Sequence, residues 1–194
     1  VAIYVIRETL CGIKKKQMKN ILTSILIFSL IQCFGQNPNY EKWLEIAEND
    51  ISLQPEYGGV KKNKKQIKSD KEFNKEILEY YKGDNVTASS KMTDLGFTYL
   101  YDKNDFVTAM KRFNQAFLLN PKNPEIYYGY GTVYFNLGAM EQAREQYDKG
   151  LQIAPKHNEM IIDYGTTYLG DYYNEQENPK KANEYLDKAI EKLS

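Results

Sequence analysis

The hydrophobic positions of this 194-residue chain repeat with a long period from about residue 88 onwards. Three stretches each carry a large residue, then a glycine, then a tyrosine three positions later; their glycines, Gly96, Gly131 and Gly165, are 35 and 34 residues apart. Apolar residues spaced by three and four positions predict amphipathic helices, so each period predicts two helices joined by a turn. The second helix of each period is marked by an alanine, a large residue and a small residue: Ala109, Phe113, Ala116; Ala143, Tyr147, Gly150; Ala182, Leu186, Ala189.

The glycines in these helices need a structural reason, because each disfavours a helix by up to about 1 kcal/mol relative to alanine. Two helix backbones approach closely only where small side chains meet, and we expect Gly131 to be such a contact beneath large rings. Gly138 is expected to end the first helix of its pair. Asn123-Pro124 and Asn178-Pro179 predict helix starts, with asparagine as the N-cap and proline in the first turn.

The turn within each pair differs in length between the three periods. It is one residue longer in the first period, at residues 101–105, and about five residues longer in the third, at residues 170–182. We expect both insertions to leave the helix faces intact.

Upstream of the repeats the pattern predicts two further helices. The first lies within residues 38–57, where apolar residues recur at helical spacing until a proline and two glycines end it. Residues 61–71 contain six lysines without interleaved aromatic or arginine residues, which favours a solvated connector over a phosphate-binding or lipid-binding patch. Ser69 and Glu72 have the spacing of a capping box and predict the start of a second helix that ends at Gly83 and covers the first repeat.

The N-terminal segment has the pattern of an export signal. Basic residues precede an eleven-residue apolar run at residues 21–31, and small residues at positions 33 and 35 favour cleavage before Gln36. The run is too short to span a bilayer, which needs about 20 residues. Residues 18–35 are therefore predicted to be a signal peptide, and residues 1–17 an over-extended gene start.

Two alternatives to simple cleavage stay open for this segment. The apolar run could be a buried core helix. Leu30 and Cys33 also have the spacing of a lipoprotein signal, although Gln32 departs from the small residue expected just before the lipidated cysteine. The expected product is periplasmic or secreted after cleavage, with no integral membrane span, and the alternative is an outer-membrane lipoprotein anchored at Cys33.

The repeat pattern resembles the tetratricopeptide repeat (TPR), a pair of antiparallel helices of 34 residues. The resemblance covers roughly residues 88–194 and implies an all-α TPR solenoid of about three repeats, at about 89–122, 124–157 and 158–194, preceded by one or two extra helices within 36–87. The composition is similar to that of exported TPR proteins of Bacteroidetes. The second period fits best, with signature residues at Tyr127, Tyr130, Gly131, Tyr134, Gly138, Ala143, Tyr147, Gly150 and Pro155.

The charge and the residue types of the chain argue against two classes of function, nucleic-acid binding and metal binding. The chain has 26 basic and 26 acidic residues. The first 35 residues hold five of the basic residues and one of the acidic residues, so the remainder carries a net charge of −4. A mildly acidic body argues against a nucleic-acid partner. No cysteine lies beyond residue 35 and His157 is the only histidine, so we predict no metal site and a solvated loop histidine.

No motif in the sequence predicts an enzyme or a cofactor. The glycines at 129 and 131 lack the third glycine of a dinucleotide-binding fingerprint. Residues 102–106 resemble the start of a calcium loop, but Phe106 stands at a ligand position. The acidic residues are spread over helix surfaces, and nothing selects a catalytic pair among them.

TPR proteins bind peptides or proteins in a concave groove lined by the first helix of each repeat, and the resemblance implies the same use here. A lysine and an asparagine that grip a carboxylate in one TPR subclass are replaced by apolar, aromatic and threonine residues. The alternative for Phe97, Tyr128 and Phe135 is packing between neighbouring repeats. The predicted groove residues are Phe97, Leu100, Tyr128, Thr132, Phe135, Ile162, Thr166 and Leu169.

The sequence therefore predicts a non-catalytic interaction module that holds a protein or peptide partner in the cell envelope. Two other functions stay open. The chain could self-assemble through its C-terminal helix, where Leu186 and Ile190 form an apolar stripe. It could also be an accessory subunit of an envelope enzyme complex.

Overall fold

The computed structural model describes residues 38–193, so the predictions about the gene start, the signal peptide and Cys33 lie outside the described residues. Within this range the chain forms eight α-helices and no strand, which confirms the predicted all-α repeat solenoid. The helices are α1 Pro38–Asn49, α2 Lys64–Tyr80, α3 Asn85–Phe97, α4 Phe106–Leu119, α5 Pro124–Asn136, α6 Met140–Ile153, α7 Asn158–Asn174 and α8 Pro179–Leu193.

The last six helices form three consecutive hairpins: α3 with α4, α5 with α6, and α7 with α8. Successive hairpins pack together because the second helix of one contacts the first helix of the next. Between the second and third hairpins, Arg144 on α6 forms an ion pair with Asp171 on α7, with 2.6 Å between Nη1 and Oδ2. The same guanidinium lies over the Tyr168 ring, 4.7 Å from its centroid.

The helix ends follow the predicted capping residues. The Asn123 side chain accepts a hydrogen bond from the Glu125 N–H at 3.1 Å, and Pro124 occupies the first turn of α5. The Asn178 side chain accepts from the Lys181 N–H at 3.3 Å at the start of α8. Gly138 follows α5 with a φ of +78°, the left-handed conformation in which glycine carries no steric penalty.

Glycines allow the close helix contacts that the sequence predicts. A Cβ atom on Gly131 would lie 2.5 Å from the Tyr147 ring atom Cδ1, and one on Gly129 would lie 2.5 Å from Cζ of Phe113. Tyr147 and Phe113 are both fully buried. The rings of α4 and α6 therefore pack directly onto the backbone of α5, which confirms glycine as a packing device.

The extra length of the third repeat lies in a helix. We predicted a longer turn at residues 170–182, but α7 continues to Asn174 and the turn occupies only residues 175–178. Helix formation continues because no glycine or proline interrupts the chain between Gly170 and Pro179.

The prediction of one helix within residues 38–57 is correct only as far as Asn49. Asp50 accepts a hydrogen bond from the Ser52 N–H at 3.0 Å and starts a separate 3₁₀ turn, Ile51–Leu53. A second turn, Pro55–Gly59, follows, in which Glu56 and Tyr57 have left-handed φ values of 56° and 58°.

Helix α2 begins earlier than predicted. The capping box is formed by Asn63 and Gln66, whose side chains accept from each other's backbone N–H groups at 2.9 and 2.8 Å. The box predicted at Ser69 is wrong because a better-placed cap precedes it in the chain. Most of the lysine-rich segment is therefore helical, and the connector prediction is correct only up to Asn63.

The N-terminal turns are fastened to the repeats by one buried amide. Asn114 on α4 is fully buried, and its Nδ2 donates to the carbonyl oxygens of Ser52 and Gln54, both at 2.9 Å. Its Oδ1 accepts from the Tyr130 hydroxyl at 2.6 Å and from the Tyr57 N–H at 3.3 Å. The main hydrophobic cluster accordingly includes Trp43 of α1 and Leu53 of the first turn. The core therefore extends to α1, whereas α2 contacts the first repeat, as predicted, without a buried residue of its own.

Candidate partner-binding groove

The first helices of the three hairpins, α3, α5 and α7, contact one another in sequence, and Tyr128 lies at the centre of their shared face. The Tyr128 hydroxyl donates a hydrogen bond to Oδ2 of Asp163 on α7 at 3.1 Å. Its ring centroid lies 5.5 Å from that of Phe97 on α3 and 5.2 Å from that of His157. Tyr128 therefore joins all three repeats.

In the first repeat, the residue exposed on the groove side is Tyr101 and not the predicted Leu100. Residues Thr98–Asp102 form a π-helical turn at the end of α3, which accommodates the extra residue that we predicted in the following loop. The extra residue in such a turn shifts the helical register, so the side chains that follow point in other directions than in a regular α-helix. Leu100 is 3% exposed and lies in the main hydrophobic cluster, whereas Tyr101 is 60% exposed and stacks on Phe97 with 5.8 Å between centroids.

Two of the predicted groove residues are consequently buried inside the chain. Leu100 belongs to the core, and Thr132 is 3% exposed with its hydroxyl donating to the Tyr128 carbonyl oxygen at 2.8 Å. Their side chains cannot line a surface for a partner, because the helix packing already covers them.

The other predicted residues lie at or near the surface. Ile162 is 55% exposed, and the partly exposed Thr166 donates its hydroxyl hydrogen bond to the Ile162 carbonyl oxygen at 2.8 Å. Leu169 is half-buried. Phe135 packs against the second hydrophobic cluster, which favours the interpretation that it mainly joins neighbouring repeats. We define the groove face as Phe97, Tyr101, Tyr128, Ile162, Asp163 and Thr166.

Sequence reasoning missed Tyr101 and Asp163. The only signal for Asp163 is its position beside Ile162, on the helix turn that faces the preceding repeat. Tyr101 could not be found from periodicity, because the π-helical turn that exposes it breaks the regular spacing.

The electrostatics of the groove face are set by Asp163. Burial raises the pKa of the Asp163 carboxyl, the hydrogen bond from Tyr128 lowers it, and the charge of Glu159 raises it again. Burial also raises the pKa of Tyr101, and the charge of Asp163 adds to that increase. The tyrosine hydroxyls are therefore neutral donors at neutral pH.

His157 is a structural residue and not the solvated loop histidine that the sequence predicts. Its Nδ1 accepts a hydrogen bond from the Met160 N–H at 3.2 Å and caps α7. Its Nε2 lies 2.7 Å from Oε1 of Glu125 on α5. Only 11% of the side chain is exposed, because the Tyr128 ring covers it.

A second concavity lies between α1, the turn Pro55–Gly59 and α6. Its volume is about 730 Å³, and its lining includes Trp43, Tyr134, Glu45 and Glu145. In the described part of the chain, no group of three or more potential ligands is arranged to hold a metal ion. None of the helices between residues 38 and 193 is both long and apolar enough to cross a membrane.

One comparison with known proteins concerns the middle of the described chain. A family model described as "Tetratricopeptide repeat" matches residues 100–161, which run from the π-helical turn through α4, α5 and α6 into α7. The matched segment is similar to tetratricopeptide repeats. This match supports the TPR resemblance of the whole array, and TPR repeats generally mediate protein–protein interaction. No curated protein matches the chain.

Proposed function

We propose that the chain is a non-catalytic adaptor that binds a peptide or protein partner on the groove face. The observation that carries this proposal is the surface around Tyr128, where Tyr101 and Ile162 expose 60% and 55% of their area beside the half-buried Asp163. Aromatic rings next to a few fixed polar groups are typical of protein recognition surfaces. The similarity of residues 100–161 to an interaction repeat supports the same function.

We also propose that this adaptor is exported to the bacterial envelope. The support is the basic segment followed by the apolar run at residues 21–31 and the small residues before Gln36. Mass spectrometry of the protein purified from its host tests this proposal. A mature chain that begins at Gln36 supports cleavage, a lipid-modified Cys33 supports anchoring, and an unprocessed N-terminus contradicts export.

A photo-crosslinking experiment tests the groove. The full chain is produced in its host with a photoreactive residue at Ile162 in the groove face, and separately at Tyr80, which is 79% exposed on α2. We expect a defined crosslinked protein from position 162 and none from position 80. Substituting Tyr128→Ala in the position-162 chain should abolish the crosslink, while Tyr173→Ala should not. Equal crosslinks from both positions, or crosslinks insensitive to Tyr128→Ala, would contradict the proposal.

Self-association is the second candidate, and the exposure of α8 favours it. Ile190 and Leu193 expose 58% and 48% of their surface on the last described helix. Sedimentation of the full chain over a range of concentrations tests this function. A concentration-dependent dimer that Ile190→Lys dissolves would support it, whereas a monomer at every concentration would exclude it.

A further inference from the structure

The groove face contains a carboxylate without a cationic partner. Asp163 receives one hydrogen bond, from the Tyr128 hydroxyl at 3.1 Å. No lysine or arginine in the described part of the chain lies within ion-pair distance of it, and its charged neighbour is another acid, Glu159. A half-buried carboxylate is costly unless a cation or several hydrogen bonds compensate it. The isolated chain leaves this compensation incomplete.

A second polar group, beneath Tyr128, also lacks a hydrogen-bond partner. Tyr147 is fully buried, and its hydroxyl has no hydrogen-bond partner among the described residues. Its ring centroid lies 6.2 Å from that of Tyr128, whose hydroxyl donates to Asp163, so Tyr147 packs directly beneath this part of the groove face. Buried hydroxyls in folded proteins normally have partners, so the region beneath Tyr128 and Asp163 retains unused hydrogen-bonding capacity.

The rings around these groups suit a positive charge. Phe97 and Tyr101 are stacked with an interplanar angle of 7°, and Tyr128 lies against Phe97. Aromatic faces attract ammonium and guanidinium groups. A lysine ammonium carries three donors and an arginine guanidinium five, which is enough for Asp163 and for neighbouring hydroxyls.

We propose that the groove face binds a lysine or arginine side chain of its partner, with the charged nitrogen at Asp163 and the aliphatic stem along the rings of Tyr101 and Tyr128. This inference rests on the proposed groove function and specifies its partner as a basic segment. Glu159, with 71% of its side chain exposed, extends the negative charge to the rim.

Peptide selection followed by titration tests this inference. The full chain is used to select from a display library of random twelve-residue peptides, in parallel with the Asp163→Asn variant. Asparagine still accepts the Tyr128 hydrogen bond, so this variant removes the charge and keeps the fold. Glu184→Gln on α8 is the matched control for losing one surface carboxylate. We expect lysine or arginine at one fixed position in peptides selected by the wild type and by the control, but not by Asp163→Asn.

The titration compares one selected peptide with a form in which norleucine or citrulline replaces the basic residue. For the wild type we expect an affinity loss of about tenfold, typical of one charge-assisted contact. For Asp163→Asn the two peptides should bind alike. Peptides selected without a basic residue would overturn the cationic subsite and leave the groove function standing. A wild-type chain that selects no peptide would overturn both.

Discussion

The ring of Tyr147 fills the space that a side chain on Gly131 would need: a Cβ atom there would lie 2.5 Å from ring atom Cδ1. This contact between α6 and α5 explains why a helix of the second repeat carries glycine despite its unfavourable propensity. Helices α5 and α6 can approach this closely because residue 131 has no side chain.

Gly131→Val should therefore destabilise the protein by overpacking, by about 1–3 kcal/mol in the free energy of unfolding. Denaturant unfolding followed by circular dichroism measures this loss. Gly170→Ala in α7 is the control, because its Cβ would lie 3.3 Å from the flexible end of Met140 and alanine favours a helix, so this variant should be at least as stable as the wild type. An unchanged midpoint for Gly131→Val would refute the packing role.

Asn114→Leu should loosen the N-terminal turns. Leucine is close to asparagine in size but cannot form the hydrogen bonds that Asn114 makes with the Ser52 and Gln54 carbonyl groups and with the Tyr130 hydroxyl. We expect a loss of about 1–3 kcal/mol, the cost of one buried polar group without a partner, because the Gln54 carbonyl and the Tyr130 hydroxyl each keep one other hydrogen bond.

Hydrogen exchange distinguishes this local effect from general destabilisation. In Asn114→Leu the Tyr57 amide, which donates to Asn114 in the wild type, should exchange faster than amides in α7. Asn183→Ala on the exposed face of α8 should change neither measurement. Uniformly faster exchange along the chain would contradict the fastening role.

Asp163→Asn should be neutral at low pH and stabilising at neutral pH. The pKa of Asp163 is raised in the folded state, so folding favours its protonated form and the wild type loses stability as the pH rises through that pKa. The difference between variant and wild type should therefore grow from about pH 4, the ordinary aspartate value, and then level off.

The other groups that face Asp163 are Tyr101, Tyr128 and Tyr147, whose pKa values are raised above the ordinary tyrosine range, and Glu159. Glu159 is the one other acid among them, and repeating the unfolding series in a Glu159→Gln background removes its charge and isolates the effect of Asp163. A variant that is less stable than the wild type at neutral pH would contradict this assignment.

Asp105→Ala should remove the N-cap of α4, at a cost of about 1 kcal/mol. The Asp105 side chain accepts from the Thr108 N–H at 2.9 Å, and hydrogen bonds from the Thr108 side chain and backbone hold its pKa below the usual value. Its stabilisation is present above the unfolded-state pKa and is lost as the pH falls through the lowered folded-state pKa. The stability difference between variant and wild type should shrink in acid. An equal difference at pH 7 and pH 2 would argue against capping by the carboxylate.

Periodicity was sufficient to predict the repeat fold, because Gly96, Gly131 and Gly165 mark equivalent positions in a pattern that helix packing requires. Capping residues such as Asn123 could also be predicted, because a cap depends on residues that are close together in the sequence. The groove face was only partly predictable. Asp163 belongs to the groove face because it accepts a hydrogen bond from Tyr128, 35 positions earlier in the chain. A contact between residues so far apart in the sequence cannot be predicted from a local pattern.

Segments without periodicity were the least predictable. Residues 50–59 form two short turns whose conformation depends on a hydrogen bond from Asn114 to the Ser52 carbonyl oxygen and on one from the Glu56 N–H to the Tyr130 hydroxyl, both across more than 50 residues of chain. The start of α2 depended on a choice between two competing caps. The sequence contains both, and the helix uses the one that comes earlier in the chain, formed by Asn63 and Gln66.

The π-helical turn at Thr98–Asp102 also removes the translational symmetry of the array. Identical repeats would offer a ligand several equivalent frames, each shifted by one hairpin. Here Tyr101 occurs only at the end contributed by the first repeat and Asp163 only in the third, so the face has a direction. An extended segment lying along the groove face would therefore fit in one position and one orientation. A shift by one repeat would lose its contacts with Tyr101 and with Asp163.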